Sequence, residues 1–125
     1  MCGIAGIYRF RSERPVDPGE LRAMAARIAH RGPDDDGYFH DGPLGFAHKR
    51  LAILDTSRDG RGPMFTDDGQ VVITVNGEIY NFVELRQELE AKGHTFRTRT
   101  DTEVILRLYQ EHGEGLLEYL NGMFA

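Results

Sequence analysis

The sequence predicts an α+β fold in which short strands and helices are mixed without the regular βαβ alternation of a doubly wound sheet. Apolar runs of strand length recur along the chain, the best being Val71-Val72-Ile73-Thr74-Val75, rich in β-branched residues. Segments 18–30, 82–92 and the one following Thr100 instead space their apolar residues at helical intervals. Fifteen glycines, including those of Asp41-Gly42 and Asp68-Gly69, provide for tight turns between these elements.

Taken in order, Ile4, Ile7, Tyr8 and Phe10 predict a first strand over 4–10. Pro15 and Pro18 mark a loop and a helix start, with Asp17 the candidate N-cap and Pro18 at the first helical position. Leu21, Met24, Ala25 and Ile28 give that helix an apolar face over 18–30. His30 to Gly37, with its Gly, Pro and consecutive acids, is expected to be irregular. Tyr38-Phe39 and Leu44 to Ala47 predict short strands around the Asp41-Gly42 turn, and Leu51 to Leu54 forms another apolar stretch. Asp55 to Pro63 is a polar loop, and Asp68-Gly69 a turn into the strand over 71–75. Phe82, Leu85 and Leu89 predict a helix over 82–92, entered at the capping-type Asn81 and closed by Gly93. Thr100 or Asp101 caps a further helix bearing Val104, Ile105, Leu108 and Tyr109, and Leu116, Leu117 and Leu120 suggest a short one after Gly115. Asn121 to Ala125 reads as the start of a strand.

Bulk properties narrow the function. A chain of 125 residues fits one domain with a limited core. The formal net charge of −5 and the lack of a basic tract argue against a nucleic-acid surface. No run approaches the ~18 apolar residues of a membrane span, and no basic region followed by a long apolar stretch suggests a secretory signal. The single cysteine excludes an internal disulfide and suits a reducing cytoplasm, the expected location. No repeat or linker is visible.

That cysteine, Cys2, directly follows Met1. If Met1 is removed, one residue carries a thiol and a free α-amine. An α-amine with a pKa of about 7.7–8.0 can serve as the base that a thiol nucleophile needs. Asn76-Gly77 reads in two ways: as a hairpin turn, or as a strand end offering a side-chain amide and a backbone N–H to a developing oxyanion. His48-Lys49-Arg50 also leaves two readings, a solvated basic edge or a strand that turns His48 and Arg50 to one side. In the second, Arg50 could clamp a carboxylate through paired N–H···O bonds. Asp101 is either an N-cap or the partner of a substrate ammonium. Asp34, Asp35 and Asp36 lack the spacing of a calcium loop and read as a solvated turn. The five histidines show no i,i+4 metal pair, so no metal site is expected.

Six stretches then match a family in order and spacing. They are Met1-Cys2-Gly3-Ile4-Ala5-Gly6, His30-Arg31-Gly32-Pro33-Asp34, His48-Lys49-Arg50-Leu51-Ala52-Ile53, Asn76-Gly77-Glu78-Ile79-Tyr80-Asn81, Thr100-Asp101-Thr102-Glu103-Val104-Ile105-Leu106 and Gly122-Met123-Phe124-Ala125. Together the sequence closely resembles the N-terminal glutaminase domain of class II glutamine amidotransferases, nearest the glutamine-hydrolysing asparagine synthetases. His30 to Asp34 favours these over the glucosamine-phosphate synthase type, which resembles Arg-Gly-Tyr-Asp-Ser at that place. Gly62 stands where such proteins usually carry Gln.

The resemblance implies an N-terminal-nucleophile hydrolase fold, a four-layer αββα sandwich of antiparallel sheets, here incomplete at the C-terminus. It implies that residues 1–125 are a truncated glutaminase domain, the ammonia-supplying half of a cytoplasmic amino-acid biosynthetic ligase. Cys2 would be the nucleophile, and Asn76 and Gly77 the oxyanion hole. Arg50 would hold the α-carboxylate of L-glutamine, Glu78 and Asp101 would meet its α-ammonium, and backbone groups of Leu51, Ala52, Ile53 and Leu54 would line the pocket. No cofactor is expected here. ATP and Mg2+ would belong to a C-terminal synthetase domain, absent from these residues along with its Ser-Gly-Gly motif. A homodimer is compatible with the resemblance. The alternatives are another class II amidotransferase with a different ammonia acceptor, or an inactive fragment that acts only as a binding module.

Overall fold

In the computed structural model, which describes residues 1–125, β1 (Gly3–Tyr8), β2 (Asp35–Asp41) and β3 (Leu44–Arg50) form an antiparallel sheet. Its strand order is β1-β3-β2. β2 and β3 are joined by the predicted turn, where Gly42 takes a φ of +49° that favours glycine. The first strand ends two residues earlier than predicted, because the chain turns at Arg9, whose carbonyl accepts the Ser12 N–H.

The helix start was legible. Asp17 Oδ1 accepts the Gly19 N–H at 2.9 Å, and Pro18 opens α1 (Pro18–Arg27). Leu21 and Ala25 bury against Val16 and Ala47 in the smaller of two cores. α1 stops short of residue 30 and passes into a 3-10 turn at Ala29–Arg31. Pro33 disfavours helical backbone at the residue before it. Gly32 also lies so close to the sheet that a Cβ there would sit 2.3 Å from the Lys49 backbone.

Asp35, Asp36 and Gly37, expected to be irregular, belong to β2. Their register partners explain this: Asp35 lies opposite Arg50, and Asp36 opposite Lys49. Asp36 is 3.7 Å from the Lys49 ammonium, and Asp35 is 2.7 Å from the Arg61 guanidinium. Burial alone would raise the Asp35 pKa, but hydrogen bonds from Arg61 and the Asp36 N–H outweigh it and leave the carboxyl below its ordinary range.

The predicted strand over 71–75 is realised only as β5 (Val72–Ile73), paired with β4 (Met64–Phe65). Its partner is short, bounded by Pro63, which has no N–H to give, and by the turn that returns at Thr66 to Val71.

β6 (Gly77–Ile79) pairs antiparallel with β7 (Gly122–Phe124), the strand expected after Asn121. Between them run α2 (Phe82–Ala91), α3 (Asp101–His112) and a 3-10 segment, Gly113–Glu118. Gly93 follows α2 with a φ of +98°. Asn81 does not cap α2 through its side chain. Its amide donates to the Tyr119 carbonyl at 2.9 Å and accepts the Asn121 N–H at 3.0 Å, so it ties β7 to the start of α2. The larger core joins Ile79 of β6 to Leu85 and Leu89 of α2 and to Val104, Ile105 and Leu108 of α3. The architecture is α+β with antiparallel pairing throughout, in one three-stranded sheet and two two-stranded ones.

Candidate active site

The C-terminal end of β3 delivers one wall of a cleft. Alternation puts His48 and Arg50 on the same side, and both are buried, which rules out a solvated basic edge for these two. Gly3 of β1 lies opposite Lys49, so Cys2 comes level with Arg50 at the end of β3, and its side chain reaches Leu51. The Leu51 N–H points at Cys2 Sγ across 3.4 Å, and Sγ stands 3.7 Å from the Leu51 carbonyl. Arg31 Nε donates to the Cys2 carbonyl at 3.0 Å, so the turn after α1 holds the cysteine backbone.

The Arg50 guanidinium donates to the carbonyls of Ser57 (2.6 Å) and Asp55, two of its five N–H groups being committed to the following loop. Burial and the Arg50 charge push His48 down to about 4, so its imidazole is neutral at pH 7. Its Nδ1 lies 3.2 Å from Thr74 Oγ1. A Cβ at Gly62 would stand 2.4 Å from that nitrogen, so the glutamine expected there would require the ring to move.

β6 and the start of α3 build the opposite wall. Asn76-Gly77 is not a hairpin turn. Asn76 exchanges backbone hydrogen bonds with Ala125 (2.9 and 3.0 Å), and Gly77 follows as the residue opposite Phe124. In an antiparallel ladder the next pair is not hydrogen-bonded. The Gly77 N–H is thereby turned away from β7, toward the edge where the Ile79 N–H donates to Asp101 Oδ2 at 2.9 Å. Asn76 Oδ1 is buried without a partner. Thr100, not Asp101, caps α3, its Oγ1 accepting the Glu103 N–H at 3.3 Å. Asp101 is the first helical residue and joins α3 to β6.

Cys2, Arg50, Leu51, Gly77, Glu78 and Asp101 all line this cleft, together with Ile53 and Leu54. Ala52 does not: its N–H is taken by Asp34 Oδ2 at 2.8 Å. Asn76 is not a lining residue itself but lies between Val75 and Gly77, which are. Sequence reasoning missed Asp55 and Thr100, which also line the cleft. The one available signal for Asp55 was an Asp two residues before a Ser in a polar loop, the spacing of a side-chain-closed turn. No group of three His, Cys, Asp or Glu side chains is placed to hold a metal ion.

Residues 1–125, the entire chain, match the glutamine amidotransferase domain family. The chain belongs to that family. The amidotransferase domain is 47% identical, over its full length, to asparagine synthetase [glutamine-hydrolyzing] 1 of Bacillus subtilis (strain 168), of which it covers 20%. It is 43% identical over its full length to asparagine synthetase [glutamine-hydrolyzing] of Sandersonia aurantiaca, covering 23% of that protein. A second Bacillus subtilis asparagine synthetase [glutamine-hydrolyzing] is 44% identical, with 17% covered. The amidotransferase domain thus spans about a fifth of the length of these relatives. None of its helices is long and apolar enough to cross a membrane.

Proposed function

We propose that this domain hydrolyses the side-chain amide of glutamine to glutamate and ammonia through a thioester on Cys2. The observation that carries the reading is the Cys2 sulfur seated against the Leu51 N–H, in one cleft with Arg50, Gly77, Glu78 and Asp101. The buried Arg50 would fix the substrate α-carboxylate, and Glu78 and Asp101 would receive its α-ammonium. Leu51, Ile53 and Leu54 complete the pocket in this reading. The scissile amide would then lie over Cys2.

Once Met1 is removed, the Cys2 α-amine takes the thiol proton and the sulfur adds to the amide carbon. The oxygen becomes an anion, met by the Gly77 N–H, which β7 leaves free, and by the Asn76 side-chain amide. The C–N bond breaks as the amine returns its proton to the departing ammonia. Water then adds to the thioester, the C–S bond breaks, and glutamate leaves with the thiol restored. The imidazole of His48 is neutral at pH 7, so of this buried pair only Arg50 offers a charge to a carboxylate.

We infer further that the α+β arrangement belongs to a four-layer αββα sandwich of the N-terminal-nucleophile type. The similarity to asparagine synthetases makes a synthetase domain using ATP and Mg2+ the proposed destination of the ammonia, and the cytoplasm its proposed setting. The test is glutamate release from glutamine by the protein and by Cys2→Ala. Release by the parent and none by the variant is expected; equal release, or none from either, refutes the proposal.

A further inference from the structure

We propose that Asp55 is a positioning residue for glutamine recognition: its carboxylate locks the loop that grips Arg50 to the segment that leads into Asp101. The inference rests on the reading of Arg50 and Asp101 given above. Asp55 touches both walls of the cleft. Its backbone carbonyl accepts from Arg50 Nη2, and the Ser57 carbonyl two residues on accepts from Nη1. Its carboxylate Oδ1 accepts the Ser57 N–H at 2.9 Å, which closes the loop on itself. Oδ2 accepts the Arg99 N–H at 2.9 Å, across 44 residues of sequence. Arg99 immediately precedes Thr100, the N-cap of α3, and Asp101, its first residue.

The consequence is geometric. A substrate amino acid held at both its carboxylate and its ammonium needs the two protein groups at a fixed separation. Arg50 leaves the end of β3 and Asp101 begins α3, and among the side-chain hydrogen bonds Asp55 alone bridges the Arg50 loop to residues 97–100. The Arg99 N–H, then the Ser57 hydroxyl and N–H, hold the Asp55 carboxyl at about 2, so it is an anionic acceptor at neutral pH.

The experiment is protection of Cys2 from alkylation by iodoacetamide, a small neutral reagent, at rising glutamine concentration. Asp55→Asn keeps an oxygen for the Ser57 N–H, as Asn does in such turns, but sets an amide NH2 against the Arg99 N–H. The half-protecting glutamine concentration should rise about tenfold, the scale of one charge-assisted hydrogen bond lost. The alkylation rate without glutamine should stay unchanged, which a general structural loss would not allow. Protection of the parent with the same half-protecting concentration in the variant overturns the inference alone. No protection of the parent overturns the glutamine reading and the inference with it. If Asp55→Asn does not fold, amide hydrogen exchange of Cys2→Ala decides. By reciprocity, bound glutamine should slow exchange at Arg99 and Ser57 by about tenfold, and unchanged exchange there overturns the inference.

Discussion

Replacing Glu103 with Gln should destabilise the fold by about 3 kcal/mol. Glu103 is 1% exposed, yet its carboxylate is fully engaged. The Arg97 N–H points between its two oxygens at 3.0 and 3.1 Å, and the Thr98 N–H and hydroxyl each reach Oε2 at 2.7 Å. Arg107 Nη2 lies 3.5 Å from Oε1. A Gln side chain keeps one oxygen and must place an NH2 where the other stood. If the NH2 faces Thr98 it meets two donors; if it faces Arg97 and Arg107 it strands an N–H and half of a buried ion pair. Breaking a buried pair costs about 3–5 kcal/mol, and the lower end applies because Arg107 retains Asp67 at 3.1 Å. Glu90→Gln is the contrast: its pair with Arg86 is an exposed i,i+4 contact, worth about 0.3–0.5 kcal/mol. Urea unfolding of both variants, extrapolated to water, checks the figures. A loss below about 1 kcal/mol for Glu103→Gln would refute the claim that this carboxylate organises the entry to α3.

Asn76→Ala should lower glutamine turnover by about 10²–10³ through loss of one oxyanion donor, with glutamine still protecting Cys2 from alkylation; wild-type turnover would sink the assignment. His48 predicts an acid-sensitive fold. Its folded pKa of about 4 lies below the ~6.5 of an unfolded histidine, so the unfolded chain binds the extra proton between those values and stability falls as pH drops from 6.5 toward 4. Between pH 7 and 4.5 this costs about 2 kcal/mol, and urea titrations should show that His48→Gln loses correspondingly less than the parent.

The helix starts were readable because they are local chemistry. Asp17-Pro18 needs only its own neighbours, and so does the pairing of Thr100 with the Glu103 N–H. What failed depended on distant partners. Asp35 and Asp36 look like a turn until Lys49 and Arg61 are brought alongside. The run 71–75 is β-branched, yet how much of it joins a ladder depends on β4, and that strand is two residues long. Asn81 has the composition of a cap, but the segment just before β7 offers it the Tyr119 carbonyl and the Asn121 N–H from about forty residues away. In the site, Cys2, Arg50, Asn76-Gly77 and Asp101 were named from residue chemistry together with the order of the motifs. For Asp55 only its local turn with Ser57 could be read, because its defining bond runs to Arg99 and nothing near Asp55 in sequence points there.

The most direct test of the account is intact mass after incubation with a glutamine-mimicking, cysteine-directed electrophile. Loss of Met1, a single adduct on Cys2, and suppression of that adduct by glutamine are expected. Well-folded protein that forms no adduct, or an adduct that glutamine does not block, would contradict it.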